Sequence, residues 1–171
     1  VDADNVAAML DALSSVDQAV VTAGDVQTIV DSYATVLDLG AFDPTDTDAV
    51  MPAPATATDL SNIGIDLEIG TEGAVAELVS GIAANLSTDA VDTVAEAQAI
   101  VDAIDDVFAN TLRTGEDDTT NTTVVSKDQL HTLGFAGATN DNLDAIQRVL
   151  SDQADETAVK SYADLKLLID N

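Results

Sequence analysis

Few side chains in this sequence could carry out catalysis. The chain has no cysteine, and His131 is its only histidine. Nucleophilic and acid–base catalysis near neutral pH rely mostly on such groups, held beside partners that activate them. Ser61 occupies the position of His131 in a second copy of the same sequence pattern, so we interpret His131 as a surface residue. No glycine-rich phosphate loop, HExxH or GxSxG motif is present, and we predict no catalytic residue and no enzymatic activity.

Carboxylates are abundant, and calcium binding is the chemistry that they could support. Two clusters lie between the predicted helices: Asp43, Asp46 and Asp48, and Glu116, Asp117 and Asp118. An EF-hand loop that began at Asp46 would need glycine where Met51 stands and glutamate where Ala57 stands, so that motif is excluded. A looser divalent-cation site and a solvated acidic spacer both stay open. We assign no metal-binding or cofactor-binding residue.

The net charge restricts the partners of the chain. Its 171 residues include 32 acidic and 5 basic side chains, giving a formal charge of −27. Nucleic acid is excluded as a partner, because phosphate binding needs a cluster of Lys and Arg. An anionic membrane surface is disfavoured for the same reason, and no apolar run has the length of a membrane span. Very salty water or a calcium-rich exterior suits such a charge.

An internal repeat organises the sequence. Three segments share the pattern Thr/Ser-x-x-acid-x-x-x-apolar-apolar-Asp, at intervals of about 70 residues. They are Thr22–Asp31, Thr93–Asp102 and Ser161–Asp170, and we name this element helix C. Apolar residues at steps of three and four in the second copy predict one buried helical stripe. That stripe comprises Val94, Ala97, Val101, Ile104 and Phe108.

Two further elements, helix A and helix B, precede helix C. Helix A occurs at Asp59–Gly64 and Asp128–Gly134, and its final glycines suit a left-handed residue that ends a helix. The apolar residues of helix B follow the i, i+3, i+4, i+7 spacing of an amphipathic helix. They are Val6, Met9, Leu10 and Leu13; Val75, Leu78, Val79 and Ile82; and Leu143, Ile146 and Leu150, with Gln147 replacing one apolar residue. The order along the chain is therefore B-C, A-B-C, A-B-C.

These periodicities predict an all-α protein. The expected helices lie near 4–15, 22–38, 56–64, 72–86, 92–112, 126–134, 140–151 and 160–170. The expected N-caps are Asp4, Thr22, Thr71, Asp92 and Asp141. The expected core contains Leu78, Ile82, Val101, Ile104, Leu143, Ile146 and Leu150. Residues 65–69 alternate like a short strand, but we interpret them as a loop whose apolar side chains lie under helix B.

Polar segments separate the repeats. Residues 40–57 contain all three prolines, and residues 114–125 are rich in Gly, Thr and Asp, so both are predicted linkers. The chain then divides into a partial repeat 1–39, a linker 40–57, a repeat 58–113, a linker 114–125 and a repeat 126–171. We expect small three-helix bundles joined by these acidic or proline-containing linkers. Because the sequence opens inside a unit, we expect a processed protein or a fragment.

The repeat motifs resemble a known family of proteins. Asp59–Gly64 with Leu130–Gly134, Asn142–Ile146 and Val91–Ala103 are similar to the helical tandem repeats of giant bacterial cell-surface adhesins. The resemblance implies secretion to the cell surface, a tandem arrangement and a structural or adhesive role, with other copies of the repeat as candidate partners. The acidic residues add divalent cations as possible partners. It transfers no functional residue. The alternative is a subunit of a self-assembling extracellular filament or surface layer.

Two asparagines fit the acceptor pattern for N-glycosylation. Asn85 is followed by Leu and Ser, and Asn121 is followed by two threonines. In so Ala- and Asp-rich a chain this pattern is weakly specific, so we interpret neither residue as a modification site.

The charge generates the first testable prediction. Since a net charge of −27 on a small protein is self-repulsive, counter-ions should stabilise the fold. Thermal melts in low salt, in molar NaCl and in millimolar calcium at matched ionic strength should show a melting temperature that rises with salt. Indifference to all three conditions contradicts the prediction. A calcium effect beyond ionic strength would instead indicate a specific cation site.

Overall fold

All regular secondary structure in the described part of the chain is helical. The structure, a computed structural model, describes residues 22–43, 45–67, 72–86, 93–111, 124–153 and 159–170, together with Leu10 and Val91. Its helices are α1 Ala23–Gly40, α2 Ala57–Asn62, α3 Glu72–Ala83, α4 Val94–Thr111, α5 Lys127–Thr132, α6 Leu143–Ser151 and α7 Tyr162–Asp170. No strand occurs within these residues, so the prediction of an all-α fold is confirmed. None of these helices is both long and apolar enough to cross a membrane.

Each described helix corresponds to one predicted helix. Helix C becomes α1, α4 and α7, helix A becomes α2 and α5, and helix B becomes α3 and α6. The helix predicted near 4–15 lies outside the described residues apart from Leu10. Residues 65–67 form a loop in which Ile65 is buried, in agreement with the sequence interpretation, whereas Glu68 and Ile69 lie outside the described residues.

The chain divides into two compact units, Val1–Gln98 and Ala99–Asn171, and the division falls within α4. In the first unit, α1 packs against both α2 and α3, and these two helices also contact each other. The core of this unit is aliphatic apart from one tyrosine. It includes Ile29, Tyr33, Val36, Leu39, Leu60, Ile63, Ile65, Val75, Leu78, Val79 and Ile82.

The second unit contains the later copies of the helices. Helices α6 and α7 pack against each other. Phe135, in the loop after α5, stacks on Tyr162 of α7 with ring centroids 5.6 Å apart. The buried apolar residues of this unit include Ile100, Val101, Ile104, Val107, Phe108, Val125, Leu130, Leu133, Ile146, Leu150, Val159 and Leu165.

Most of the predicted core residues are buried. The whole apolar stripe of α4 is buried, and so are Leu78, Ile82, Ile146 and Leu150. The prediction was wrong for Leu143, which is half-buried. Leu143 is the first residue of α6, and the helix buries its apolar face only from Ile146 onward.

The helix starts differ from the prediction at two of the five expected N-caps. Thr22 caps α1 as expected, with a reciprocal pair of hydrogen bonds to Asp25. The cap of α4 is Thr93 and not Asp92, because the Thr93 hydroxyl accepts from the Glu96 N–H while the Glu96 carboxylate accepts from the Thr93 N–H. Asn142 precedes α6 where Asp141 was expected. Asp4 and Thr71 lie outside the described residues.

Candidate functional site

The junctions around helix A are the most elaborate polar structures in the described part of the chain. The first junction begins with a capping box at α2. The Thr56 hydroxyl accepts a hydrogen bond from the Asp59 N–H at 3.2 Å, and an Asp59 carboxylate oxygen accepts from the Thr56 N–H at 2.9 Å and from the Thr56 hydroxyl at 2.6 Å. These bonds satisfy N–H groups that the start of a helix would otherwise leave unpaired.

The same helix ends in a Schellman motif. Gly64 has φ 85°, the left-handed conformation that glycine adopts without a steric penalty. The Gly64 N–H donates to the Ser61 carbonyl at 3.1 Å, and the Ile65 N–H donates to the Leu60 carbonyl at 3.1 Å. The accompanying side chains of Leu60 and Ile65 are both buried. The motif therefore ends the helix after six residues and turns the chain back into the core.

The second junction repeats this construction at α5, about 70 residues later. Ser126 and Gln129 form the capping box, with Oε1 of Gln129 accepting from the Ser126 N–H at 2.7 Å. Gly134 has φ 88°, and the Phe135 N–H donates to the Leu130 carbonyl at 2.9 Å. The predicted left-handed glycines at the ends of helix A are therefore confirmed in both copies.

Each helix A is tied to the preceding helix C by the side chain that completes its capping box. In the first unit, Oδ1 of Asp59 accepts from the buried Ser32 hydroxyl of α1 at 3.1 Å. Oγ of Ser32 in turn accepts from Nδ2 of Asn62 at 3.0 Å. In the second unit, Nε2 of Gln129 donates to the Asp106 carboxylate of α4. The residue type differs between the copies, but its position does not.

Each helix B is tied to the residue that precedes the helix A cap. In the first unit, the buried Ser80 hydroxyl of α3 accepts from the Ala55 N–H at 2.9 Å. In the second unit, Nε2 of Gln147 on α6 donates to the Val125 carbonyl at 2.8 Å. This contact explains why Gln147 replaces an apolar residue of helix B.

A buried asparagine connects α4 to α6. Nδ2 of Asn110, whose side chain is fully buried, donates to the Gln147 carbonyl at 2.9 Å. Oδ1 of Asn110 has no hydrogen-bond partner within the described residues. The bond therefore ties the two helices together through a backbone carbonyl of α6.

His131 has a structural role at the second junction. It is exposed, as predicted, and its Nε2 lies 2.7 Å from the Ala138 carbonyl, to which it donates as the Nε2–H tautomer. This bond links the end of α5 to the loop that leads to α6. Together with the buried contacts of Phe135, it fixes the course of the loop.

The first acidic cluster forms turns. Oδ1 of Asp43 accepts from the Thr45 N–H at 2.8 Å and from its hydroxyl at 2.6 Å, and Oδ1 of Asp46 accepts from the Asp48 N–H at 3.0 Å. The hydrogen bonds from the Thr45 side chain and backbone lower the pKa of Asp43 below its ordinary value of 3.8. Such side-chain-to-backbone bonds are the usual occupation of Asp in turns.

The described residues contain no group of three or more His, Asp or Glu side chains that could hold a metal ion. The second cluster, Glu116 to Asp118, lies outside the described residues, so the choice there between a looser divalent-cation site and a solvated acidic spacer stays open. Asn85 is exposed, and its Nδ2 donates to the Gly81 carbonyl at 2.7 Å, whereas Asn121 lies outside the described residues.

Comparisons with known proteins add no identification. No family model, curated protein or solved structure matches the chain. The resemblance to adhesin repeats therefore stays an expectation drawn from the residues. The geometry of the two junctions indicates a structural role, because their polar groups link helix A to helices B and C.

Sequence reasoning missed the long-range polar links of the two junctions. The capping boxes were visible as Thr56-x-x-Asp59 and Ser126-x-x-Gln129, a recognised helix-start pattern. Their contacts to Ser32 and Asp106 had no sequence signal, because the partners lie more than 20 residues away and change from copy to copy.

The capping box of α2 predicts an acid-sensitive contact. Partial burial raises the pKa of Asp59, but hydrogen bonds from Thr56 and Ser32 outweigh it and hold the pKa below the ordinary value of 3.8. A lowered folded-state pKa means that this carboxylate stabilises the fold above its unfolded pKa. That stability is lost as the pH falls through the folded pKa.

A carboxyl-carbon NMR titration of Asp59 measures this pKa directly. We expect a midpoint below 3.8, which Thr56→Ala and Ser32→Ala should each raise by removing a donor. Thr58→Ala is the matched control, because Thr58 is the exposed neighbour of Asp59 and should leave the midpoint unchanged. A midpoint at or above 3.8 in the unmodified protein would show that the hydrogen bonds are absent in solution.

Proposed function

We propose that the chain is a non-catalytic structural or adhesive repeat segment of an exported bacterial surface protein. Its repeats are three-helix groups joined by acidic or proline-containing linkers, and it acts through its shape. The duplicated junction around helix A carries this proposal. The same capping box, six-residue helix and left-handed glycine recur about 70 residues apart, as expected of a unit that is copied along a chain.

The packing within the first unit supports the three-helix group. Helices α1, α2 and α3 contact one another pairwise, in the order C-A-B along the chain. This grouping joins helix C of the first unit to the helices A and B that follow it, whereas the sequence analysis grouped helix C with those before it. In the second unit, helix B packs against the helix C that follows it, as the sequence analysis expected. In a tandem array the two descriptions produce the same succession of helices.

Charge and chemistry support an exterior, mechanical role over a catalytic one. A formal charge of −27 favours salty or calcium-rich surroundings, which agrees with the cell-surface location implied by the resemblance. The carboxylates of Asp43 and Asp59 and the imidazole of His131 bond to nearby backbone and side-chain groups of their own junctions and turns. These groups therefore stabilise the local structure, and a partner would contact the outer surface of the helices.

One observation favours the alternative, a subunit of a self-assembling filament or surface layer. Leu167 of α7 is 65% exposed, and the equivalent residues Thr28 and Ala99 in the other helices C are polar or small. Leu168 is only half-buried, although its equivalents Ile29 and Ile100 are buried. The apolar face of α7 could therefore receive a helix from another repeat, either in the same chain or in another copy.

Light scattering across a concentration series distinguishes the two functions. A repeat segment is expected to remain a monomer of 17.5 kDa, with or without millimolar calcium. A filament subunit would form open-ended species that grow with concentration, and Leu167→Glu would abolish them. Val50→Glu is the matched control, because Val50 is 88% exposed and lies far from α7 in sequence. A stable dimer of fixed size would contradict both proposals.

A further inference from the structure

We infer that Asp59 and Gln129, the third residues of α2 and α5, are specificity-determining residues that assign each helix A to its own helix C. The inference rests on the proposed function, a chain of tandem repeats, and adds to it a rule for which helix A pairs with which helix C. Repeats that share one pattern can exchange equivalent helices, within a chain or between chains, and such exchange is a characteristic misfolding route of repeat proteins. Something other than the shared pattern must oppose it.

The apolar contacts cannot supply this discrimination. Leu60 of α2 and Leu130 of α5 are the same residue at the same position, and both are fully buried. The following residues Ile63 and Leu133 are both fully buried as well. A helix A exchanged between the two copies would therefore bury almost the same apolar surface in either place.

The polar contacts differ between the two copies, because the helix A side chain accepts a hydrogen bond in one copy and donates one in the other. In the first unit helix A presents an acceptor, since the Asp59 carboxylate receives the Ser32 hydroxyl of helix C at 3.1 Å. In the second unit helix A presents a donor, since Nε2 of Gln129 donates to the Asp106 carboxylate. Donor and acceptor are thus reversed between the two pairs, while the positions on helix A correspond.

Exchange would set like charges against each other in one of the two new pairs. The residue of α4 equivalent to Ser32 is Ala103, which has no hydroxyl, and the residue of α1 equivalent to Asp106 is Thr35. If α2 packed against α4 in the same register, Asp59 would lose its donor, because it would lie opposite Ala103, and Asp106 would be one helical turn away on the same face of α4. Two carboxylates at close range without a shared proton or a counter-ion repel each other.

One repulsive combination is enough to oppose the exchange. If α5 packed against α1, Gln129 would meet the hydroxyls of Ser32 and Thr35, to which an amide can bond. However, a reciprocal exchange that moves α5 onto α1 leaves α2 for α4. The tolerated pair, α5 with α1, therefore forms only together with the unfavourable pair, α2 with α4. The specificity comes from the repulsion between the negative charges of Asp59 and Asp106.

The pairing rule is tested first in the second unit. Gln129→Asp places a carboxylate opposite Asp106, and we expect the equilibrium constant for unfolding to rise roughly tenfold in urea titrations of the full chain. Adding Asp106→Thr, which recreates the residue of α1, should remove most of that effect. Ala136→Asp is the control for added charge alone, because Ala136 is an exposed turn residue of the same unit.

The second test measures the exchange itself. Asp59→Gln removes the repulsion against Asp106, so this variant should form more exchanged dimer than the unmodified protein after unfolding and refolding at high concentration, as seen by gel filtration. Thr58→Gln is the matched control on the same helix and should refold to monomer. Exchanged dimers would arise only after refolding, whereas filaments would grow from native protein. A negative result in this test therefore does not bear on the light-scattering test of the proposed function, and the reverse also holds.

Two results would overturn the inference. One is a Gln129→Asp variant that is no less stable than Ala136→Asp, or that Asp106→Thr does not restore. The other is an Asp59→Gln variant that yields no more exchanged dimer than Thr58→Gln.

Discussion

The fold depends on two copies of a helix that is too short to be stable alone. Isolated helices of fewer than about 12–15 residues are marginal in water, and both copies of helix A have six residues. Each copy therefore relies on a capping box, a Schellman motif and the complete burial of Leu60 or Leu130. In the first unit the longer helices C and B pack against this short element and also against each other. The short helix is therefore held in place by its neighbours.

The polar links distinguish the two copies of this arrangement from each other. Aliphatic burial supplies a favourable free energy that is insensitive to the identity of the partner helix, whereas hydrogen bonds require a donor opposite an acceptor. The two copies satisfy that requirement with different residues, Asp59 with Ser32 and Gln129 with Asp106. A chain of similar repeats can in this way combine a common fold with distinct pairings. The proposed role as a structural segment requires that property, because mispaired repeats would shorten or entangle the array.

Much of the fold could be predicted from the sequence because it depends on local periodicity. The stripe of α4 follows steps of three and four, and Gly64 and Gly134 mark chain reversals that need a left-handed residue. The cap of α4 was misplaced by one residue, since Asp92 and Thr93 are adjacent and both residue types can cap a helix. Asn142 precedes α6 without a side-chain hydrogen bond to the helix, so capping preference does not decide that start. The contacts of Gln147 and Asn110 could not be predicted, because a polar residue in an apolar stripe does not reveal which distant backbone group it will bond.

Hydrogen exchange on a Leu60→Ala variant tests most directly whether helix A holds its group together. Removal of this fully buried side chain should destabilise the first unit by about 2–5 kcal/mol. If α1 and α3 depend on α2, amides of all three helices should lose protection together, while Ser61→Ala, at an exposed position of the same helix, leaves the protection unchanged. Loss of protection confined to α2, with α1 and α3 as protected as before, would contradict this account.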